Sequence, residues 1–215
     1  MTAVLLGFII RVNDKDAEKM NIKYLVNVSA GHPFRESIQH ALDGDTAVVQ
    51  LKDVDPEKGL DSTQLYRVHL TGRKSPDYLQ QGDILFIGRG YRIFAILVDH
   101  DLQHTVAGSH FFILRLKPNK QAVRPDYLVW YINYKQAQRY FSQHAAGSAL
   151  PHITRTTLEN LPVLVPPLAV QEHIVKLHHC RLKEKALLEK LIEKKKQLID
   201  GLLDKTLEPY HEDKT

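Results

Sequence analysis

An uninterrupted helical pattern near the C-terminus is the feature that most constrains the fold. Residues 170–205 contain no proline, and their only glycine is Gly201. Apolar side chains recur there on the a and d positions of a heptad frame, and isoleucines widen the stripe at e. Arg181, Glu184 and Lys195 interrupt it. The apolar residues of the stripe are Ile174, Leu177, Leu188, Leu191, Ile192, Leu198, Ile199 and Leu202.

The length of this helix predicts a partner for it. A helix of about 35 residues spans roughly 50 Å, which is too long for one small domain to cover its whole apolar stripe. We therefore expect its far end to pair with another helix, from a second copy of the chain or from another protein. The alternative is that the helix folds back on its own domain.

Composition excludes several classes of protein. With 43% hydrophobic and 25% charged residues, the 215-residue chain can bury a core of one or two domains and is not disordered. The single cysteine, Cys180, excludes an intramolecular disulfide and a cysteine-based zinc site, which favours a reducing cytoplasm. Residues 1–10 are apolar but half the length of a membrane span, so we expect a buried strand or helix and no membrane segment.

The sequence before the long helix favours a β-sheet domain. Short β-type runs alternate with turn residues, and Gly88-Arg89-Gly90 joins two of them as a candidate hairpin. Pro125 opens an amphipathic pattern that predicts one helix, through Phe141, packed on the sheet. The expected fold class is α+β: a curled, mostly antiparallel β-sheet domain with packed helices, followed by a long coiled-coil-forming α-helix. The predicted strands cover residues 46–54, 66–70, 82–87, 92–98 and 110–116.

Catalytic signatures are missing from the sequence. The Gly-Arg-Gly turn lacks the third glycine of a dinucleotide-binding motif, and no Walker A or Gly-x-Ser-x-Gly pattern occurs. Carboxylates do not cluster as a metal-dependent nuclease requires. His178 and His179 are adjacent, so on a helix they point about 100° apart and cannot share a metal ion. We therefore expect no catalytic residue, no metal site and no cofactor bound by this chain.

Basic and aromatic residues at predicted loop tips indicate recognition instead. An arginine in a tight, glycine-flanked turn can enter the major groove and bond guanine O6 and N7, while nearby Lys or Ser holds phosphates. The net charge of +4 fits contact with an acidic partner through limited patches. The clusters lie at residues 32–35, 73–74, 89–92, 117–120 and 148–155.

Four stretches resemble a known family, the specificity (S) subunit of type I restriction-modification systems. Residues 48–54 resemble the strand that begins its recognition domain, residues 81–90 are similar to its "GDIL…G" hairpin, and residues 126–133 resemble its helix. The most specific stretch leads through residues 161–168 into the long helix; it includes Gly147, Ser148, His152, Ile153, Leu158, Gln171 and Ile174. The resemblance covers one target-recognition domain and one helical spacer.

The resemblance implies how such a chain works. The usual subunit has two recognition domains and two antiparallel spacer helices, so this chain resembles a half-subunit that forms a homodimer. Each domain would read half of a bipartite target in double-stranded DNA, and the helices would fix the half-site spacing. The implied domains are a DNA target-recognition domain at residues 1–168, a spacer and dimerisation helix at 169–206 and a polar tail at 207–215.

The resemblance also implies partners. A modification (methyltransferase) subunit would bind S-adenosylmethionine and methylate adenine, and a separate restriction (motor-nuclease) subunit would cleave. This chain has no methyltransferase motif, so we expect it to be non-catalytic. Its single cysteine favours a cytoplasmic location. The alternatives are an interaction scaffold or antirestriction decoy that does not direct methylation, and a nuclease or toxin-like enzyme. The predicted DNA-contacting residues are Lys74, Arg89, Tyr91, Arg92, Ser148, His152 and Arg155.

Overall fold

The computed structural model describes residues 17–34, 36–70, 76–90, 92–119, 122–147 and 151–211. The expectation for residues 1–10 lies outside these ranges. The chain divides into two compact units, Met1–Val175 and Lys176–Thr215. The strands are β1 (Glu18–Asn21), β2 (Val26–Ala30), β3 (Thr46–Val49), β4 (Val54–Asp55), β5 (Gly59–Leu60), β6 (Tyr66–Val68), β7 (Ile84–Ile87), β8 (Phe94–Leu97), β9 (Thr105–Ala107), β10 (Phe111–Leu116) and β11 (Pro162–Val165). The helices are α1 (Pro125–Asn133), α2 (Lys135–His144), α3 (Arg155–Glu159) and α4 (Leu168–His211).

A four-stranded antiparallel sheet, in the order β2-β10-β7-β8, forms the centre of the first unit. Its two faces contribute to two different hydrophobic clusters. On β7, Ile84 and Phe86 pack into one cluster, with α1 and α2, while Leu85 and Ile87 pack into the other. This is the period of two that a strand imposes on its side chains. Because β7 is buried on both faces, its register and its end are firmly fixed.

A second sheet departs from purely antiparallel pairing. It has the order β6-β3-β9; β3 pairs antiparallel with β6 and parallel with β9. The predicted single strand over residues 46–54 is wrong, because a 3-10 turn at Leu51–Asp53 separates β3 from β4. The Asp53 carboxylate accepts a hydrogen bond from Gln50 N–H at 2.8 Å, which stabilises the turn. Two short antiparallel pairs, β1-β11 and β4-β5, complete the strands.

The helix predicted to start at Pro125 does start there but is two helices. Tyr134 has an extended backbone and separates α1 from α2. The Asn133 side chain accepts from Ala95 N–H and donates to Ala95 carbonyl, both at 2.8 Å, so the end of α1 is bonded to β8. Tyr127 packs in the core and donates its hydroxyl to Leu164 carbonyl at 2.7 Å; burial raises its pKa, so it remains a donor.

The long helix α4 begins directly after Pro167 and continues to His211, past residue 206, where the sequence pattern ends it. Its first turns belong to the first unit. Gln171 is fully buried: its amide nitrogen donates to Ala122 and Pro166 carbonyls, each at 2.7 Å, and its amide oxygen accepts from Arg124 N–H at 2.9 Å. No helix in the described part of the chain is long and apolar enough to cross a membrane.

Candidate functional site

The hairpin that carries Arg89 is formed by β7 and β8, as predicted. The two strands pair antiparallel with Ile87 opposite Phe94. Gly88 follows β7 where only glycine fits, because a Cβ there would lie 2.9 Å from the Phe86 ring and 3.2 Å from the Ile153 carbonyl oxygen. Gly90 has a φ of +105°, a conformation that favours glycine. These two glycines determine how Arg89 is presented.

Segment 151–153 lies along this connection. Ile153 N–H donates to Gly88 carbonyl at 2.7 Å, and Gly90 N–H donates to Pro151 carbonyl at 3.3 Å. On its other edge, the segment exchanges two hydrogen bonds of 2.9 Å between His152 and Ala146. The connection is therefore held by an isolated bridge to segment 151–153 and is not a free loop tip.

Arg89 and His152 form an antiparallel bridge between these segments. The two hydrogen bonds flank the pair, so it has the non-hydrogen-bonded geometry in which side chains lie closest, with Cβ atoms about 4.5–5.5 Å apart. The Arg89 side chain is exposed and His152 is half-buried. Two side chains predicted from separate stretches of sequence therefore lie side by side on one surface.

Arg155 follows His152 closely and begins α3. The helix is capped by Thr154, whose hydroxyl accepts a hydrogen bond from Thr157 N–H at 3.1 Å. Arg155 is exposed and donates from Nε to Glu159 Oε1 at 2.7 Å. This ion pair orients the side chain while its two terminal nitrogens bond nothing within the part of the chain that the structure describes.

Arg92 lies in the same connection, two residues before β8 begins at Phe94, and is exposed. The pKa of Asp55 is lowered, chiefly by hydrogen bonds from Lys58 and Glu57 N–H and also by the charge of Arg92. The positive charge of Arg92 thus acts on the Asp55 carboxylate of β4. We call residues 88–90, 92 and 151–155 the cationic strip.

Three of the predicted DNA-contacting residues, Lys74, Tyr91 and Ser148, lie outside the described residues. The structure brings Arg89 and His152 together in a bridge. Arg155 begins α3 three residues after His152, and Arg92 lies in the same connection as Arg89. Among the other predicted clusters, Lys117 is engaged within the fold, because its ammonium donates to Lys23 carbonyl at 2.7 Å. The described residues contain no group of three or more side chains able to hold a metal ion.

An ion-pair network that the sequence pattern did not predict stabilises the start of the hairpin. Arg115 on β10 donates to both carboxylate oxygens of Asp83, at 2.8 and 2.7 Å, and to Asp77 at 3.2 Å. Asp83 is almost fully buried. Hydrogen bonding to Asp83 raises the pKa of Arg115, so the guanidinium stays charged. The available signal was Arg115 itself, a charged residue within an apolar strand.

A second candidate surface is the apolar face of α4. Every predicted stripe residue from Leu177 to Leu202 is at least half exposed; Leu188, for example, is 53% exposed. Ile174 differs, because it packs against the core of the first unit. Leu187, Leu203 and Leu207, which the heptad frame omitted, are exposed as well. A row of exposed leucines and isoleucines of this length marks an interaction surface.

These features define a class of protein: a β-sheet recognition domain joined to a long helix with an apolar face for assembly. Residues 14–196 match the model of the type I restriction modification DNA specificity domain. The chain belongs to this family, as the resemblance in its sequence indicated. The family assigns this domain target specificity and no catalytic step, so the chain is not an enzyme.

Solved structures support the fold class. The type I restriction-modification S subunit from M. genitalium has a TM-score of 0.56 at 16% identity, covering 91% of this chain and 46% of that chain. The HsdS subunit from Thermoanaerobacter tengcongensis has a TM-score of 0.57 at 16% identity, covering 90% of this chain and 47% of that chain. A third structure, which concerns complex assembly and conformational transition of the type I R-M system, has a TM-score of 0.57 at 17% identity. The match covers 89% of this chain and 47% of that chain.

This chain therefore spans about half the length of the solved structures that it matches. The shared fold confirms the predicted α+β architecture with a long C-terminal helix. No curated protein matches the chain.

Proposed function

We propose that this chain reads one half of a bipartite DNA target for a type I restriction-modification complex. The observation that carries the proposal is the cationic strip, in which a bridge between two segments presents Arg89 beside His152. An arginine whose backbone is hydrogen-bonded on both sides, at Gly88 and Gly90, is suited to a bidentate contact with guanine in the major groove. Arg92 and Arg155 would contact phosphates beside it. Lys74, Tyr91 and Ser148 remain predicted DNA contacts.

We further propose that α4 joins two copies of the chain and sets the distance between their half-sites. Its exposed apolar face supports this, because water-exposed leucines and isoleucines gain free energy when a second helix covers them. A closed dimer with twofold symmetry would present two identical recognition domains. The resulting target is a split palindrome.

The partners follow from this role. A modification subunit would supply S-adenosylmethionine and the methyltransferase chemistry, and a restriction subunit would supply translocation and cleavage. This chain would determine where both act. The single cysteine, Cys180, is free and exposed, which fits a reducing cytoplasm as the location.

The experiment is a map of adenine methylation in cells that express the chain with its modification subunit, read by single-molecule sequencing. We expect methylation at a split motif with two inverted, identical halves. The controls are cells with the modification subunit alone and cells with the chain carrying Arg89→Ala. Two unlike halves would mean that the chain pairs with a different recognition chain. A stable complex without new methylation would contradict the proposal and favour the scaffold or decoy alternative.

A further inference from the structure

Three charged residues, Arg181, Glu184 and Lys195, lie within the apolar face of α4. Glu184 occupies a d position and Lys195 an a position of the heptad frame that contains Leu188 and Leu191. Both are exposed, and within the described part of the chain neither has an ion-pair partner. If a second helix covers this face, each charge must be paired there, because an unpaired charge is costly to remove from water.

We propose that α4 pairs with α4 of a second copy, antiparallel and in a single register, in which Glu184 of each copy forms an ion pair with Lys195 of the other. The twofold axis then passes between Glu189 and Lys190. The proposal rests on the dimer of the proposed function, whose antiparallel direction the family resemblance implies, and adds the register of its helices and the ion pairs that select it.

Heptad geometry makes this register consistent along the face. In an antiparallel pair of helices, each a position shares a layer with a d position of the other helix. Aligning Glu184 with Lys195 places Leu188 opposite Leu191 next to the axis. It also places Leu177 opposite Leu202 in an outer layer. Twofold symmetry repeats each of these layers on the other side of the axis.

Neither a parallel pair nor an antiparallel shift of one heptad gives Glu184 and Lys195 partners. In a parallel, in-register pair, Glu184 faces Glu184 and Lys195 faces Lys195, so like charges meet in the seam. An antiparallel shift of one heptad in one direction sets Lys195 against Leu191, and in the other against Leu177. Glu184 then faces Leu202 or Leu188. A shift of two heptads pairs Glu184 with Arg181 but sets Lys195 against Val170. The two charges thus act against wrong registers as well as in favour of one.

The same logic selects a second copy of this chain as the occupant. Glu184 and Lys195 lie at equal distances on either side of the axis, so the helix is complementary to its own inverted copy and forms two ion pairs. Arg181, the third charged residue of the stripe, faces Leu198 in this register. Its long aliphatic stem can cover the leucine while the guanidinium reaches water at the edge of the seam.

Charge reversal in the full-length chain tests the register. Glu184→Lys and Lys195→Glu each place two pairs of like charges in the seam, so each should raise the dimer Kd about tenfold or more. The double variant, with both reversals, should return the Kd to the wild-type value. Glu193→Lys and Lys190→Glu make the same changes on the outer face of α4 and serve as matched controls. In a parallel dimer the single reversals would leave the Kd unchanged, which would overturn the proposal.

Cross-linking gives an independent readout of direction. In a Cys180→Ser background, chains with Leu177→Cys should form disulfide-linked dimers only when mixed with chains carrying Leu202→Cys. A cross-link between two Leu177→Cys chains would show parallel helices and overturn the proposal. A stable dimer that fails both tests would reject the register and leave the dimer standing. A wild-type chain that stays monomeric would instead reject the dimer of the proposed function, and the register with it.

Discussion

Arg89 lies at a backbone position that hydrogen bonds fix on both sides, through Gly88 carbonyl and Gly90 N–H. Its side chain is exposed, yet the turn that carries it has little freedom. An exposed arginine on a mobile loop loses side-chain and backbone entropy when it binds, whereas a fixed turn avoids the backbone part of that cost. The position therefore suits a contact that distinguishes one base pair from another.

Replacement of Arg89 by alanine should lower specific affinity and spare non-specific binding. We expect the preference for target over random DNA to fall by about 1–3 kcal/mol, the value of one bidentate base contact. Fluorescence anisotropy with both DNAs at one salt concentration measures it. Arg139→Ala, which removes an exposed arginine from α2, is the control and should change both affinities equally or not at all. Unchanged discrimination would remove Arg89 from the set of base-reading residues.

Gln171 is the residue on which the start of α4 depends. Its side chain satisfies one N–H and two carbonyls of three other residues while being fully buried itself. Gln171→Leu would keep the volume and leave these groups unpaired, so we expect a loss of about 2–4 kcal/mol in the free energy of unfolding. Urea denaturation measures it. The same change at the exposed Gln143 should have almost no effect, and equal losses for both variants would contradict this role.

The hairpin is the element that brings the cationic strip together, and Gly88 is its tightest point. In Gly88→Ala, the new Cβ would press against the Phe86 ring and the Ile153 carbonyl. Phe86 is fully buried and Ile153 is hydrogen-bonded, so segment 151–153 must shift. We expect unfolding free energy to fall by about 1–3 kcal/mol and target preference to fall with it.

Thermal unfolding and DNA binding of the same samples measure both effects. Gly201→Ala is the matched control, because a Cβ there meets nothing within 4 Å and alanine favours a helix. That variant should be as stable as the wild type or slightly more. A Gly88→Ala protein with full stability and full target preference would show that the close approach does not matter.

Elements with a clear local pattern were predictable from the sequence, and elements set by distant contacts were not. Alternating apolar residues and turn glycines predicted β7, β8 and their hairpin, and the heptad pattern predicted α4. The break at Tyr134 carries no local signal, since it accompanies hydrogen bonds between Asn133 and β8. The turn within residues 50–53 is an exception, because the bonds that close it join Asp53 to Gln50, only three residues away.

In the candidate site, too, the features with a local sequence pattern were predictable and those set by distant contacts were not. Residue type and turn context identified Arg89, whereas its pairing with His152 joins segments far apart in the sequence. No local pattern contains that contact. The Arg115–Asp83 ion pair also links distant strands, and a sequence shows only its two charges.

At the scale of the whole molecule, the proposed dimer would bring two recognition domains to one DNA. A single domain that reads a few base pairs binds weakly at physiological salt. Two linked domains turn the second binding event into an intramolecular one and can raise overall affinity by about 10²–10⁴. In the proposed dimer, the apolar face of α4 would therefore contribute to target choice together with the cationic strip.

Disrupting the apolar face of α4 should abolish dimerisation without weakening the binding of one domain to its half-site. Leu188→Glu together with Leu191→Glu would bury four unpaired carboxylates next to the twofold axis, so we expect monomers. Sedimentation at several protein concentrations measures the state. The monomer should keep the wild-type affinity for a single half-site and lose the roughly hundredfold or greater gain on a two-half-site DNA. Ala186→Glu with Gln197→Glu adds the same charges on the opposite face and should remain dimeric. A dimer that survives the paired leucine changes would place the interface on another face of the helix.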